Sequence, residues 1–88
     1  MAKVDNDTEE YLSRHTSPMP NVLEELTRFT YLSTCNPRII SGHIQGKFLQ
    51  LLCRICRPNR ILEVGTFTGY TTVCMALSSP PHTVIDTL

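Results

Sequence analysis

Ile61-Leu62-Glu63-Val64-Gly65-Thr66-Phe67-Thr68-Gly69-Tyr70-Thr71-Thr72 is the stretch that decides the fold of this chain. Ile61–Val64 is a short apolar run with one acid at its penultimate position, and it reads as a buried strand. Gly65 and Gly69 bound a turn whose backbone approaches a neighbour without interference from a Cβ. Residues 70–78 follow as a helix, which Ser79-Pro80-Pro81 ends. Thr83-Val84-Ile85-Asp86 then reads as the start of a second strand. Strand, glycine turn, helix and strand make a βαβ unit, so the two strands are expected to run parallel through a right-handed crossover. In an open α/β sheet the ligand lies outside the carboxyl end of a strand, against the first turn and the free N–H groups that open the helix.

Upstream the pattern is helical. Ile44, Phe48, Leu51, Leu52 and Ile55 form the apolar stripe of a helix from about Ser41 to Cys56, stopped at Pro58. Gly46 falls on a different face, either allowing close approach to a neighbour or simply tolerated at about 1 kcal/mol against Ala. Val22, Leu23, Leu26, Phe29 and Leu32 mark an earlier helix from Asn21 that ends before Cys35-Asn36-Pro37. Pro18 and Pro20 separate it from a short helix through about Arg14, capped by Asp7 or Thr8, with residues 1–7 as a loose end. The chain thus divides into an N-terminal segment 1–20, a helical region 21–57 and the start of an α/β domain at 58–88.

Composition limits the partners. Eight Lys+Arg balance eight Asp+Glu among 88 residues, which leaves no electrostatic footprint for nucleic acid or an acidic membrane. No apolar run approaches the roughly 20 residues of a membrane span. The polar start Met1-Ala2-Lys3-Val4-Asp5 does not resemble a signal peptide, so a cytoplasmic setting is expected. Cys53 and Cys56 form a C-x-x-C, and with His43 and His82 they raise the question of zinc. No second pair follows at finger-like spacing, and the cysteines, 53 and 56 sitting on an amphipathic helix, are expected to be small reduced core residues.

Two parallel strands leave two open edges and too little to bury, so the α/β unit reads as incomplete, the front of a larger domain. The turn also lacks the chemistry of a phosphate site. Its G-x-x-x-G spacing misses the middle glycine of a dinucleotide fingerprint, and no Gly-Lys-Ser/Thr follows. Glu63, just before the turn, repels a pyrophosphate and suits a ligand with a cationic amine. A nicotinamide-binding oxidoreductase is therefore disfavoured.

Residues 61–72 resemble motif I of the class I S-adenosylmethionine-dependent methyltransferases. Gly65-Thr66-Phe67-Thr68-Gly69-Tyr70 is similar to the O-methyltransferase branch that includes the caffeoyl-CoA and catechol enzymes. Ile40-Ser41-Gly42-His43-Ile44-Gln45-Gly46-Lys47-Phe48-Leu49 resembles that branch's ligand-contacting stretch at the matching distance upstream, and the likeness covers roughly residues 20–86. It implies N-terminal helices plus the first βαβ unit of a Rossmann-like fold, with S-adenosylmethionine as cofactor. Ser41 falls where the family meets the cofactor's methionine part. Glu63 and Gly65 fall in the motif I turn, and Thr71 at the hydroxyl that meets the methionine carboxylate. Asp86 matches the acid that holds the ribose hydroxyls, at an interval a few residues shorter than the family's.

Each residue also has a plainer reading: Glu63 as a solvated strand-end acid, Gly65 and Gly69 as turn geometry, Thr71 as an ordinary helix residue, Ser41 as an N-cap. Tyr11 and His15 lie in the segment that lines the family's acceptor pocket. The resemblance implies methyl transfer to a small-molecule hydroxyl of catechol or phenolic type. A divalent cation such as Mg assists in this branch, its ligands and the lysine base falling on strands beyond residue 88. The full-length form is expected as a homodimer. The alternative is a non-catalytic truncated product whose helices serve as an interaction module.

Overall fold

The computed structural model describes residues 6–88. The loose end expected for residues 1–7 lies outside this range for residues 1–5, and Asn6 and Asp7 are already helical. The elements in chain order are α1 (Asn6–Arg14), α2 (Asn21–Ser33), a 3-10 turn (Pro37–Ile39), α3 (His43–Cys56), β1 (Arg60–Glu63), α4 (Tyr70–Ser78) and β2 (Val84–Thr87). β1 and β2 are parallel, with Arg60 opposite Val84 and Glu63 opposite Thr87. The βαβ unit is formed as its residues indicate.

α3 begins two residues later than expected. Gly42, not Ser41, stands at its N-cap with φ −82° and ψ 171°. Residues 37–39, between the two expected helices, wind into a 3-10 turn that opens at Pro37 and closes with Ile40 N–H on the Pro37 carbonyl at 3.1 Å. Together they leave Ser41 outside both helices. α3 ends at Arg57, left-handed at φ 46°, just before Pro58.

Leu23 of α2 packs with Tyr70 and Cys74 of α4, and Met19, Leu26, Ile40 and Val73 close around them. The core therefore joins residues from both sides of the 57/58 boundary. α3 reaches α4 through Gly46. A Cβ there would stand 2.8 Å from Cys74 Sγ and 3.1 Å from Tyr70 Cε1. Of the two readings of Gly46, close approach is the one realised.

The apolar stripe of α3 faces elsewhere. The helix buries Gly46, Gln50 and Cys53, while Phe48 is 57 % and Ile55 69 % exposed. Phe29 and Leu32 of α2 are likewise exposed, and the face that is covered carries Leu23 and Thr30. Periodicity locates an apolar face, but packing decides which face meets a neighbour. Here a glycine allows the closer approach, and the small-residue face wins. The cysteines need the same correction. Cys53 and Cys74 are buried, Cys35 and Cys56 are exposed, and all four are free thiols.

Strand alternation sorts the sheet into two faces. Ile61, Glu63, Ile85 and Thr87 share one face, where hydroxyls of α4 bond to Glu63. Arg60, Leu62, Val84 and Asp86 share the other, which is bare, with Leu62 69 % exposed.

Candidate cofactor site

Glu63 ends β1 on the α4 side of the sheet, directly beside Thr87. Its Oε1 accepts from Thr87 Oγ1 at 2.7 Å and from the Thr72 hydroxyl. Its Oε2 accepts from the Thr71 hydroxyl. Thr66 Oγ1 adds a fourth hydroxyl, 2.5 Å from Thr87 Oγ1. Both carboxylate oxygens are thus engaged, and Glu63 ties the end of β1 to the first turn of α4 and to the end of β2. A solvated strand-end acid would make none of these bonds.

Partial burial pushes the Glu63 carboxyl up, but the three donated hydroxyls outweigh it and hold the group below its ordinary 4.5. A carboxyl depressed by folding stabilises the fold above its unfolded value, and the contribution is lost as the pH falls through the folded one. Glu63→Gln keeps the shape and removes the charge. In denaturant titrations across pH, the parent's advantage over Glu63→Gln is expected in full above pH 4.5, shrinking as the pH drops below it. A gap that stays constant across that window would show that the hydroxyls do not favour the ionised form.

The turn after Glu63 departs from ordinary backbone. Gly65 has φ 101° and Gly69 φ 92°, and between them Phe67 sits at φ 47°, where side chains are seldom found. Gly65 N–H and Thr66 N–H both donate to the Leu88 carbonyl, at 2.8 and 2.9 Å, and Gly69 N–H donates to the Thr66 carbonyl at 2.8 Å. No side chain caps α4, so its first N–H groups face the space beyond the turn.

That space is a crevice with two parts. A small pocket of about 30 Å³ lies between Ile40-Ser41 and the turn residues Gly65–Thr68. An open groove of about 310 Å³ continues beside β1, lined by Ser41, Gln45, Leu49, Glu63, Gly65 and Thr71 among others. Ser41, Gly65 and Thr71 border both parts, and Glu63 borders the groove. Four of the five expected cofactor residues therefore converge.

Asp86 does not join them. It lies on the opposite sheet face, exposed, with Arg60 Nη2 donating to its Oδ2 at 3.0 Å. Tyr11 and His15 stack on each other with ring centroids 4.1 Å apart and border neither part of the crevice. His43 Nε2 donates to the Ser17 carbonyl at 2.6 Å, which ties the α1–α2 linker to α3.

Thr66, Thr72, Thr87 and Gln45 were missed by sequence reasoning. A signal existed for the threonines, since alternation along β2 puts Thr87 on one face with Ile85, but only the register sets it beside Glu63. Among the described residues no group of three or more His, Cys, Asp or Glu side chains converges as a metal site would. None of their helices is long and apolar enough to cross a membrane.

Comparison with known proteins places this geometry. Residues 13–88 match the sequence model of the family described as O-methyltransferase. A catechol O-methyltransferase of Niastella koreensis is 46 % identical over 52 residues, covering 59 % of this chain and 24 % of that protein. A caffeoyl-CoA O-methyltransferase of Populus kitakamiensis is 35 % identical over 69 residues, covering 74 % of this chain and 29 % of that protein. Among solved structures, the O-methyltransferase of Bacillus cereus in complex with SAH superposes at a TM-score of 0.81 and 32 % identity, over 92 % of this chain and 36 % of that one. The chain belongs to the O-methyltransferase family, whose Rossmann-like fold it begins. It spans about a quarter of the length of the curated relatives it matches.

Proposed function

We propose that this chain supplies the methionine-binding side of an S-adenosylmethionine site in an O-methyltransferase that acts on a small-molecule hydroxyl of catechol or phenolic type. The observation that carries the reading is the convergence of Ser41, Glu63, Gly65 and Thr71 on one crevice at the carboxyl end of β1. Its chemistry fits the methionine end of the cofactor. The uncapped N-terminus of α4 attracts a carboxylate through its backbone N–H groups, the Thr71 hydroxyl being donated to Glu63, and the negative Glu63 attracts an ammonium group. At Gly65 an added Cβ meets no protein atom within 4 Å, so the backbone there borders space that a ligand can fill.

Bound S-adenosylmethionine brings a sulfonium methyl group for in-line displacement by a hydroxyl oxygen. The residues of this chain bind and orient; positioning of the reactants is the part of catalysis they serve. A divalent cation that assists the reaction in this branch would take its ligands from outside the described residues, none of which gather as a metal site. Asp86, paired with Arg60 on the opposite sheet face, does not border this crevice. A cytoplasmic setting, in keeping with four free thiols, and a homodimer belong to the same proposal.

The interaction-module reading draws on a different observation, the exposed Phe48, Leu51 and Ile55 of α3. One measurement separates the two. Calorimetric titration of the protein, as its gene encodes it, with S-adenosylhomocysteine is expected to give saturable one-site binding. A folded protein that takes up no ligand overturns the cofactor reading and leaves the module.

A further inference from the structure

Thr30 lies on α2, far in sequence from the glycine turn, and is completely buried at 0 % exposure. Its hydroxyl donates to the Leu26 carbonyl at 2.8 Å and also stands 2.8 Å from Thr68 Oγ1. A hydroxyl has one proton to give. With that proton on Leu26, Thr30 accepts and Thr68 donates. The turn is thus fastened by a side-chain bond to a helix that does not border the crevice.

Thr68 is the residue where such a bond matters most. It stands between Phe67 at φ 47° and Gly69 at φ 92°. Backbone in such conformations persists only where its surroundings over-determine it. The Gly69 N–H to Thr66 carbonyl bond closes the turn from within, whereas the Thr30 bond anchors it to the core. Leu23, two turns earlier on α2, is held against Tyr70 and Cys74, so the anchor itself is fixed.

We infer that Thr30 is a positioning residue for the cofactor turn: it acts through Thr68 to hold residues 65–69 in the shape that receives the methionine end of the ligand. The inference rests on the cofactor reading above. It makes α2 part of the binding apparatus without contact to the ligand.

The test compares Thr30→Val, which is nearly isosteric but lacks the hydroxyl, with Thr30→Ser, which retains it, in the protein as its gene encodes it. Thr30→Val is expected to weaken S-adenosylhomocysteine binding about fivefold, the equivalent of one hydrogen bond that the displaced turn lacks. Thr30→Ser is expected to restore affinity to near the parent's, and amide exchange at Thr68 and Gly69 should quicken in the Val variant alone. Thr68→Ala with Thr68→Ser probes the same bond from the turn, should Thr30→Val not fold. Equal affinity for parent and Thr30→Val, or equal losses for Val and Ser, overturns the assignment while leaving the cofactor reading intact. A parent that binds no S-adenosylhomocysteine overturns both.

Discussion

Gly65→Val is expected to cost S-adenosylhomocysteine affinity at least 1–3 kcal/mol, roughly fivefold to more than a hundredfold, the scale of overpacking a tight site. Two effects act at this position. The backbone sits at φ 101°, a conformation that a β-branched residue adopts only with strain. The added side chain also points where no protein atom lies within 4 Å, which in the proposed complex is the path of the ligand. Gly65→Ala carries most of the strain with less bulk, so it is expected between parent and Val. Cys53→Ala, a buried change on α3, is the control: it should lower stability and leave affinity nearly intact. Calorimetric titration of folded variants checks this. If Gly65→Val binds like the parent while a folded Cys53→Ala loses the ligand, the glycine turn is not the cofactor turn.

Gly46→Val is expected to be the most damaging single change to the fold, with a loss of about 1–3 kcal/mol or more. For a domain of this size that is a fall in midpoint of roughly 4–8 °C per kcal/mol. The Cβ would stand 2.8 Å from Cys74 Sγ and 3.1 Å from Tyr70 Cε1, and Cys74 and Tyr70 are 1 % and 3 % exposed. Neither has room to retreat. Gly46→Ala sets that clash against a gain in helix propensity of about 1 kcal/mol, so it should cost less than Val. Removing the sulfur should relieve it: in a Cys74→Ala background, Gly46→Ala is expected to be less harmful, with a coupling of about 0.5 kcal/mol or more. Thermal and denaturant unfolding of the four proteins measure the coupling. Strict additivity would show that α3 and α4 do not meet through this pair.

The burial that raises the Cys74 thiol to about 11 and the Tyr70 phenol to about 12 belongs to the same contact. Both groups stay protonated at neutral pH, although Lys47 draws the thiol partly back. The Tyr70 hydroxyl is buried without a hydrogen-bond partner. Tyr70 therefore packs in the core with Leu23 and Cys74 and at the same time borders the small pocket beside Ser41 and the turn.

How much of this was readable beforehand depends on the range of the interaction concerned. Proline and glycine punctuation marked helix ends at Ser33, Cys56 and Ser78, because these residues act on their own backbone and that of their immediate neighbours. The βαβ unit followed from the order of apolar runs around the Gly65–Gly69 turn. The gathering of Ser41, Glu63, Gly65 and Thr71 was legible only through resemblance, since nothing local in residues 40–49 says that they return to the end of β1.

Sequence by itself determined the element types, the turn that needs two glycines, and an acid placed at the end of the first strand. Only the tertiary structure decided what those pieces face. The register of β1 on β2 set Thr87 beside Glu63 and sent Asp86 to the opposite face with Arg60. The meeting of α3 with α4 turned Gly46 inward and left Phe48 and Ile55 uncovered. Thr30, an unremarkable threonine in a helix, became the anchor of a turn 38 positions away. The physical reason is the same in each case: propensity and turn chemistry act over a few residues, whereas register, facing and long-range hydrogen bonds exist only once distant segments are packed together.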